Sequence, residues 1–200
     1  MLFRLQTAAY GDGRDIPPGA KFQWRAKNNN DMETLKAIHT RHSVRKFTAK
    51  KVEERLLQEI INAGMMAPSA GNERPWHFVV IRERASLKAI GDGHPYASMV
   101  AKAPVAVLIC GDLNQDNYEG YWIQDCAAAM QNMLLAAHDL GLGSVWVGLY
   151  PRAQRVIDVR RIINLPEHIV PFAILPLGHP AETKVEENRF DASRIHWECW

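Results

Sequence analysis

Arg41, Ser43 and Arg45 alternate within the stretch Arg41-His42-Ser43-Val44-Arg45-Lys46-Phe47. In an extended chain, residues two apart face the same side, so these three could converge on one anion. A guanidinium offers a planar fork of donors suited to phosphate, and the serine adds a hydroxyl. One helix further on comes Pro68-Ser69-Ala70-Gly71-Asn72-Glu73-Arg74-Pro75-Trp76-His77-Phe78. This is a turn of small residues with a single amide side chain, running into an apolar strand. Two arginines near a helix end are by themselves usually solvated or salt-bridged. An anion clamp together with a small-residue platform points to a flat, phosphorylated cofactor.

Other chemistries find little support. The pair Gly141-Leu142-Gly143 follows a helix, the wrong context for a dinucleotide-binding glycine turn, and no P-loop, HExxH or GxSxG stretch is present. The eight histidines have no ligand spacing and the three cysteines no CxxC pair, so no metal site is expected. Cys110 and Cys126 read as small buried residues. His138 reads as a hydrogen-bonded core residue, and Asp125 as a cap that complements the positive end of its helix. The sequence offers no convincing catalytic acid or base of its own.

The composition frames these residues. The chain has 200 residues, enough for one domain with a buried core, with 47% hydrophobic and 23% charged residues. A net charge of +2 is too close to neutral to argue for nucleic acid. No apolar run reaches membrane-spanning length and no secretory signal is visible, so a soluble chain is expected, and reduced thiols fit a cytoplasmic location.

Two parts are expected. Residues 1–30 carry glycines, prolines and an asparagine run without periodicity and read as a loose N-terminal extension, with Met32 as a possible alternative start. Residues 31–200 read as the domain. Asp31 can cap a short helix in which Met32, Leu35, Ile38 and His39 share a side. Val52 to Met66 and Arg152 to Ile163 are helical, and Ala85 to Ile90 is a short helix ended by a break over residues 91–95. Trp76–Ile81, Pro104–Cys110, Ser144–Tyr150 and Ile169–Leu177 are strands. Trp122 to Leu140 is apolar nearly all round, which predicts a helix buried on every side, either centrally or at a dimer core. Trp197 and Trp200 suggest that the tail docks on something.

On RHSVRKF, APSAGNERPWHFVVI, APVAVLICGD, the helix QDCAAAMQNMLLAAHDLGLGSVWVGLYP and LPLGHP with the tail RFDASRIHWECW, the chain resembles the nitroreductase-like flavoproteins from about Thr34 to Trp200. The resemblance implies an α+β nitroreductase-like fold: a central, mostly antiparallel sheet of four to five strands surrounded by helices, with the long helix at a homodimer core. It implies FMN at the subunit interface. Arg41 and Ser43 match the phosphate-holding positions, with His42 between them, and Arg189 matches a C-terminal basic residue that reaches back to the phosphate. Arg45 matches a cation at the flavin pyrimidine edge. Pro68, Ser69 and Ala70 match the turn along the ring, Asn72 an amide bonded to the flavin, and Val147, Gly148 and Leu149 the strand end near N5.

The implied activity is ping-pong reduction of a nitroaromatic, quinone or related electron-poor small molecule, driven by NADH or NADPH, with the flavin carrying the chemistry. A flavin-storage protein of little turnover, or a specialised oxidase or dehalogenase on the same scaffold, is the alternative. Arg74 stands where Gln is common, and the Asp112–Gln124 segment is short, so the extra helical cover of larger members is not expected.

Overall fold

The computed structural model describes residues 33–183 and 188–200. The expected N-terminal extension, Met32 and the Asp31 cap lie outside them.

The sheet is built on two apolar runs. β2 (Val105–Asp112) and β5 (Ile169–Gly178) are buried along their whole length. They pair antiparallel, and β1 (Trp76–Ile81) closes one side of β2. Every pairing is antiparallel, and the strand order is β1-β2-β5-β3, with β4 also on β5. Alternate residues of β2 feed two cores. Val105, Val107 and Ile109 meet Leu57, Ile60, Met130 and Met133. Ala106, Leu108 and Cys110 meet Leu87, Ile90 and Val159. Thus α2 (Glu54–Met65) and α4 (Trp122–Asp139) cover one face, and α3 (Arg84–Gly93) and α5 (Ala153–Ile163) the other.

Four expectations are corrected. Ser144–Tyr150 is not one strand but two short ones, β3 (Gly143–Ser144) and β4 (Val147–Gly148). Both keep one register along β5, Ser144 facing Leu177 and Val147 facing Ile174. Val145 would then face Pro176, which has no amide hydrogen to donate, and the ladder breaks there.

The apolar side expected for the first helix, α1 (Thr34–Thr40), does not face the core. Leu35 and Ile38 are exposed and Ala37 is the buried residue.

Nor is α4 buried centrally on every side within the single chain. Gln124 and Gln131 are exposed beside half-buried Ala128 and Leu135, spaced so that they form one outward stripe. The break expected at residues 91–95 comes later, because α3 runs on to Gly93. No helix among the described residues is long and apolar enough to cross a membrane.

Candidate functional site

The clamp stretch leaves α1 in extended backbone and lies along the end of the sheet. Val44 N–H donates to Ser144 O at 2.9 Å, Thr48 N–H to His179 O at 2.9 Å, and Ala181 N–H to Lys46 O at 2.9 Å. Val44 is buried against Gly143, where any Cβ would collide with it. Its neighbours Ser43 and Arg45 therefore point the other way. Glu182 fixes the backbone at Arg45, its carboxylate accepting from Arg45 N–H at 2.5 Å and Lys46 N–H at 3.3 Å.

Arg41 is half-buried. Burial lowers its pKa, and the neighbouring Arg189 lowers it further. Two guanidiniums thus share one corner, and among the described residues no carboxylate pairs with Arg41. Such a corner gains from an anion. His42 donates from Nδ1 to Thr40 O at 3.1 Å and packs its ring edge against His138, centroids 6.0 Å apart. Thr40 Oγ1 donates to Lys36 O at 2.8 Å, so His138 Nε2 is the donor in its 2.8 Å bond to that hydroxyl. Burial, then His42 and Arg41, hold the His138 pKa below its ordinary value, which suits a neutral ring.

The small-residue turn follows α2. Ala70–Asn72 form one 3-10 turn, with Gly71 at φ 52° and Asn72 at φ 59°. A Cβ at Gly71 would meet the Tyr118 ring in a left-handed backbone, so glycine is required there twice over. Ser69 Oγ accepts from Arg74 N–H at 3.0 Å, and Asn72 Oδ1 accepts from Arg74 Nε at 2.9 Å. Pro68, Gly71 and Asn72 are exposed.

Asp125 corrects its sequence reading. It does not cap its own helix: its side chain reaches across and accepts from Ala70 N–H at 3.1 Å. It is 4% exposed, and its other oxygen has no partner among the described residues. Burial raises its pKa, and Glu73 and Asp116 raise it further.

Val147 and Gly148 line a cavity of about 520 Å³ together with Arg45, Trp146, His94 and Arg155. Leu149 is fully buried in the core instead. The structure thus brings Arg41 to Arg189, and Arg45 to Val147 and Gly148. It does not bring either group to Pro68–Asn72. The turn is tied to Asp125 near the start of α4, and the clamp to His138 near its end. At 1.5 Å of rise per residue, those two anchors are about 20 Å apart.

Sequence reasoning missed His94, Arg155 and the cross-link made by Asp125. No local pattern marks them, because each acts on backbone brought near only by the tertiary fold.

The nitroreductase family model matches residues 38–93 and 91–179. A protein of Methanothermobacter thermautotrophicus, provisionally named an NADH dehydrogenase/NAD(P)H nitroreductase, is 50% identical over 169 residues, covering 84% of this chain and 88% of that one. A solved structure from Bacteroides thetaiotaomicron carrying the same provisional name has TM-score 0.80 and 40% identity, covering 84% of this chain and 98% of its own. A provisionally named nitroreductase of Desulfovibrio desulfuricans, solved in complex with FMN, has TM-score 0.73 and 30% identity, covering 88% and 99%. With the family match spanning the sheet, the clamp and the turn, the chain belongs to the nitroreductase family.

Proposed function

We propose that this chain, through a domain spanning residues 31–200, is an FMN-dependent NAD(P)H oxidoreductase whose FMN lies between two copies. The carrying observation is the half-buried Arg41, with which no carboxylate pairs among the described residues and whose pKa is lowered by burial and then by the charge of Arg189. A phosphate dianion there replaces like-charge repulsion with charge-assisted hydrogen bonds, and Ser43 adds a hydroxyl. The residues present fit FMN: an anion corner, a second cation at Arg45, and a cavity edge of backbone at Val147 and Gly148. Bound FMN would supply hydride acceptance from NAD(P)H and its return to an electron-poor acceptor.

The protein's own part is placement and charge. Arg41, Ser43 and Arg189 hold the phosphate, with His42 between them. Arg45 sets a positive charge at the ring's pyrimidine edge, where reduction gathers negative charge. Pro68, Ser69, Ala70 and Asn72 lie along the ring from the second copy, because the turn is about 20 Å of helix away from the clamp within one protomer. Leu149 anchors the Val147–Gly148 backbone in the core, its N–H donating to Phe172 O at 3.0 Å. Exposed Met65, Met66, Tyr118 and Tyr121 near the turn, and Phe190, Trp197 and Trp200 in the tail, offer apolar surface for that second copy.

Purified full-length protein should take up FMN, turn yellow, and oxidise NADH or NADPH with a nitroaromatic or quinone. A colourless protein that binds no FMN sinks the reading. A yellow protein without turnover makes it a flavin-storage protein.

A further inference from the structure

β4 is two residues long, yet its last carbonyl is held twice. Gly148 O accepts from His94 Nε2 at 3.1 Å and from Arg155 Nη1 at 3.2 Å. The donors come from separate elements: His94 caps the end of α3, and Arg155 sits in the first turn of α5. His94 is only 6% exposed. Its Nδ1 accepts from Tyr96 N–H at 3.1 Å, so in the neutral ring Nε2 carries the proton and is the donor to Gly148. A carbonyl has two lone pairs, and both are engaged here, one by a cationic group.

We propose that His94 and Arg155 are positioning residues that pin the Gly148 carbonyl and so fix the Val147–Gly148 backbone against the reactive edge of the flavin. The inference rests on the FMN reading above. Hydride acceptance demands reacting atoms within about 3–3.5 Å, and a 1 Å error costs up to about a hundredfold in rate. The strand of two residues, broken from β3 at Pro176, is held by the sheet from one side only, through β5 and the Leu149 and Tyr150 N–H groups on Phe172 O, each at 3.0 Å. The two side chains hold the Gly148 carbonyl from the opposite side, facing the cavity. Both line the Val147–Gly148 cavity rather than the Arg41 corner, so the larger effect falls on reactivity and the smaller on retention of FMN.

The test uses full-length wild type, His94→Ala, His94→Gln and Arg155→Met. Each is titrated with FMN, its flavin midpoint potential is measured, and flavin reduction by NADH or NADPH, whichever the wild type uses, is followed by stopped flow. His94→Ala should bind FMN within about threefold of wild type but be reduced about tenfold more slowly, with a displaced potential. His94→Gln, whose amide can donate to the same carbonyl, should restore both rate and potential. Wild-type rate and potential in His94→Ala would overturn the proposal. So would equal impairment of the Ala and Gln variants, which would make the ring a packing element. Should His94→Ala not fold, Arg155→Met reads the same carbonyl, and wild-type behaviour there overturns the proposal too. A wild type that takes up no FMN would instead sink the parent reading, at the first titration and before any variant is compared.

Discussion

The two ends of α4 make opposite surroundings. At the C-terminal end, half-buried Arg41 lies beside Arg189, with His42 and His138 packed against each other. At the N-terminal end, buried Asp125 feels Glu73 and Asp116, and the Asp125 and Glu73 carboxylates each keep one buried oxygen without a partner among the described residues. This polarity follows the helix dipole, which favours cations at the C-terminus and anions at the N-terminus. The two ends nevertheless differ in kind. The acidic end is knitted to backbone: Asp125 holds Ala70 N–H, Glu73 holds Asn117 N–H at 2.9 Å, and Asp116 holds Gly120 N–H at 2.8 Å. The cationic end has no such acceptor for Arg41 among the described residues. One end holds its own loop in shape, and the other is where the proposed function puts an anion from outside.

The contrast breaks first at Arg41. Arg41→Ala should weaken FMN binding by about thirty- to a hundredfold, the scale of one or two charge-assisted hydrogen bonds. The cofactor-free protein should melt no lower than wild type, because Arg41 makes no ion pair among the described residues and its charge is disfavoured by burial. A lower melting temperature with unchanged FMN affinity would make Arg41 a structural residue.

Next comes the turn. Gly71→Val forces a β-branched residue into left-handed backbone against Tyr118 and should cost about 1–3 kcal/mol locally. It should abolish FMN binding in the pure variant, yet a mixture of Gly71→Val and Arg41→Ala subunits should recover flavin binding, since one mixed pair contains one intact clamp and one intact turn facing each other. A mixture no better than its components would refute a site shared between copies.

A smaller effect separates the two arginines of the clamp. Arg45→Ala should displace the flavin midpoint potential more than Arg41→Ala does, because the proposed site sets Arg45 at the ring and Arg41 at the phosphate. Equal potentials in both variants would remove that distinction.

Smallest is the acidic end. The folded-state pKa of Asp125 is raised, so the folded chain holds this proton more readily than the unfolded chain. Its contribution to stability is full below the ordinary carboxylate value and is lost as pH rises through the raised one. Asp125→Asn keeps an oxygen for Ala70 N–H and should lose less stability than wild type as pH rises from the ordinary carboxylate value through the raised one, read by urea unfolding at each pH. Parallel curves would show that Asp125 does not titrate differently on folding.

Much of this was legible in the chain because it rests on local pattern. β2 and β5 are continuous apolar runs, α2 repeats its apolar residues at helical spacing, and the clamp and turn are contiguous motifs. What was not legible depends on partners far away in sequence. The split between β3 and β4 needs Pro176, opposite them on another strand. Asp125 looks like a helix cap until Ala70 is folded onto it, and His94 looks like part of a glycine-rich break until Gly148 comes within reach. The apolar face of α1 was readable, but its direction was not: Leu35 and Ile38 turn outward, and periodicity cannot say whether the core that covers them belongs to the same chain.

In the shared site proposed above, with about 20 Å of helix between the Ala70 anchor and His138, a lone protomer would hold only half of what grips a flavin. Uptake of FMN then depends on protein concentration as well as cofactor concentration. Dilution separates the copies and lets FMN go, while added FMN draws the copies together by mass action. A cell making little of this protein would hold it mostly as empty single chains, and would switch the activity on steeply as its abundance rises.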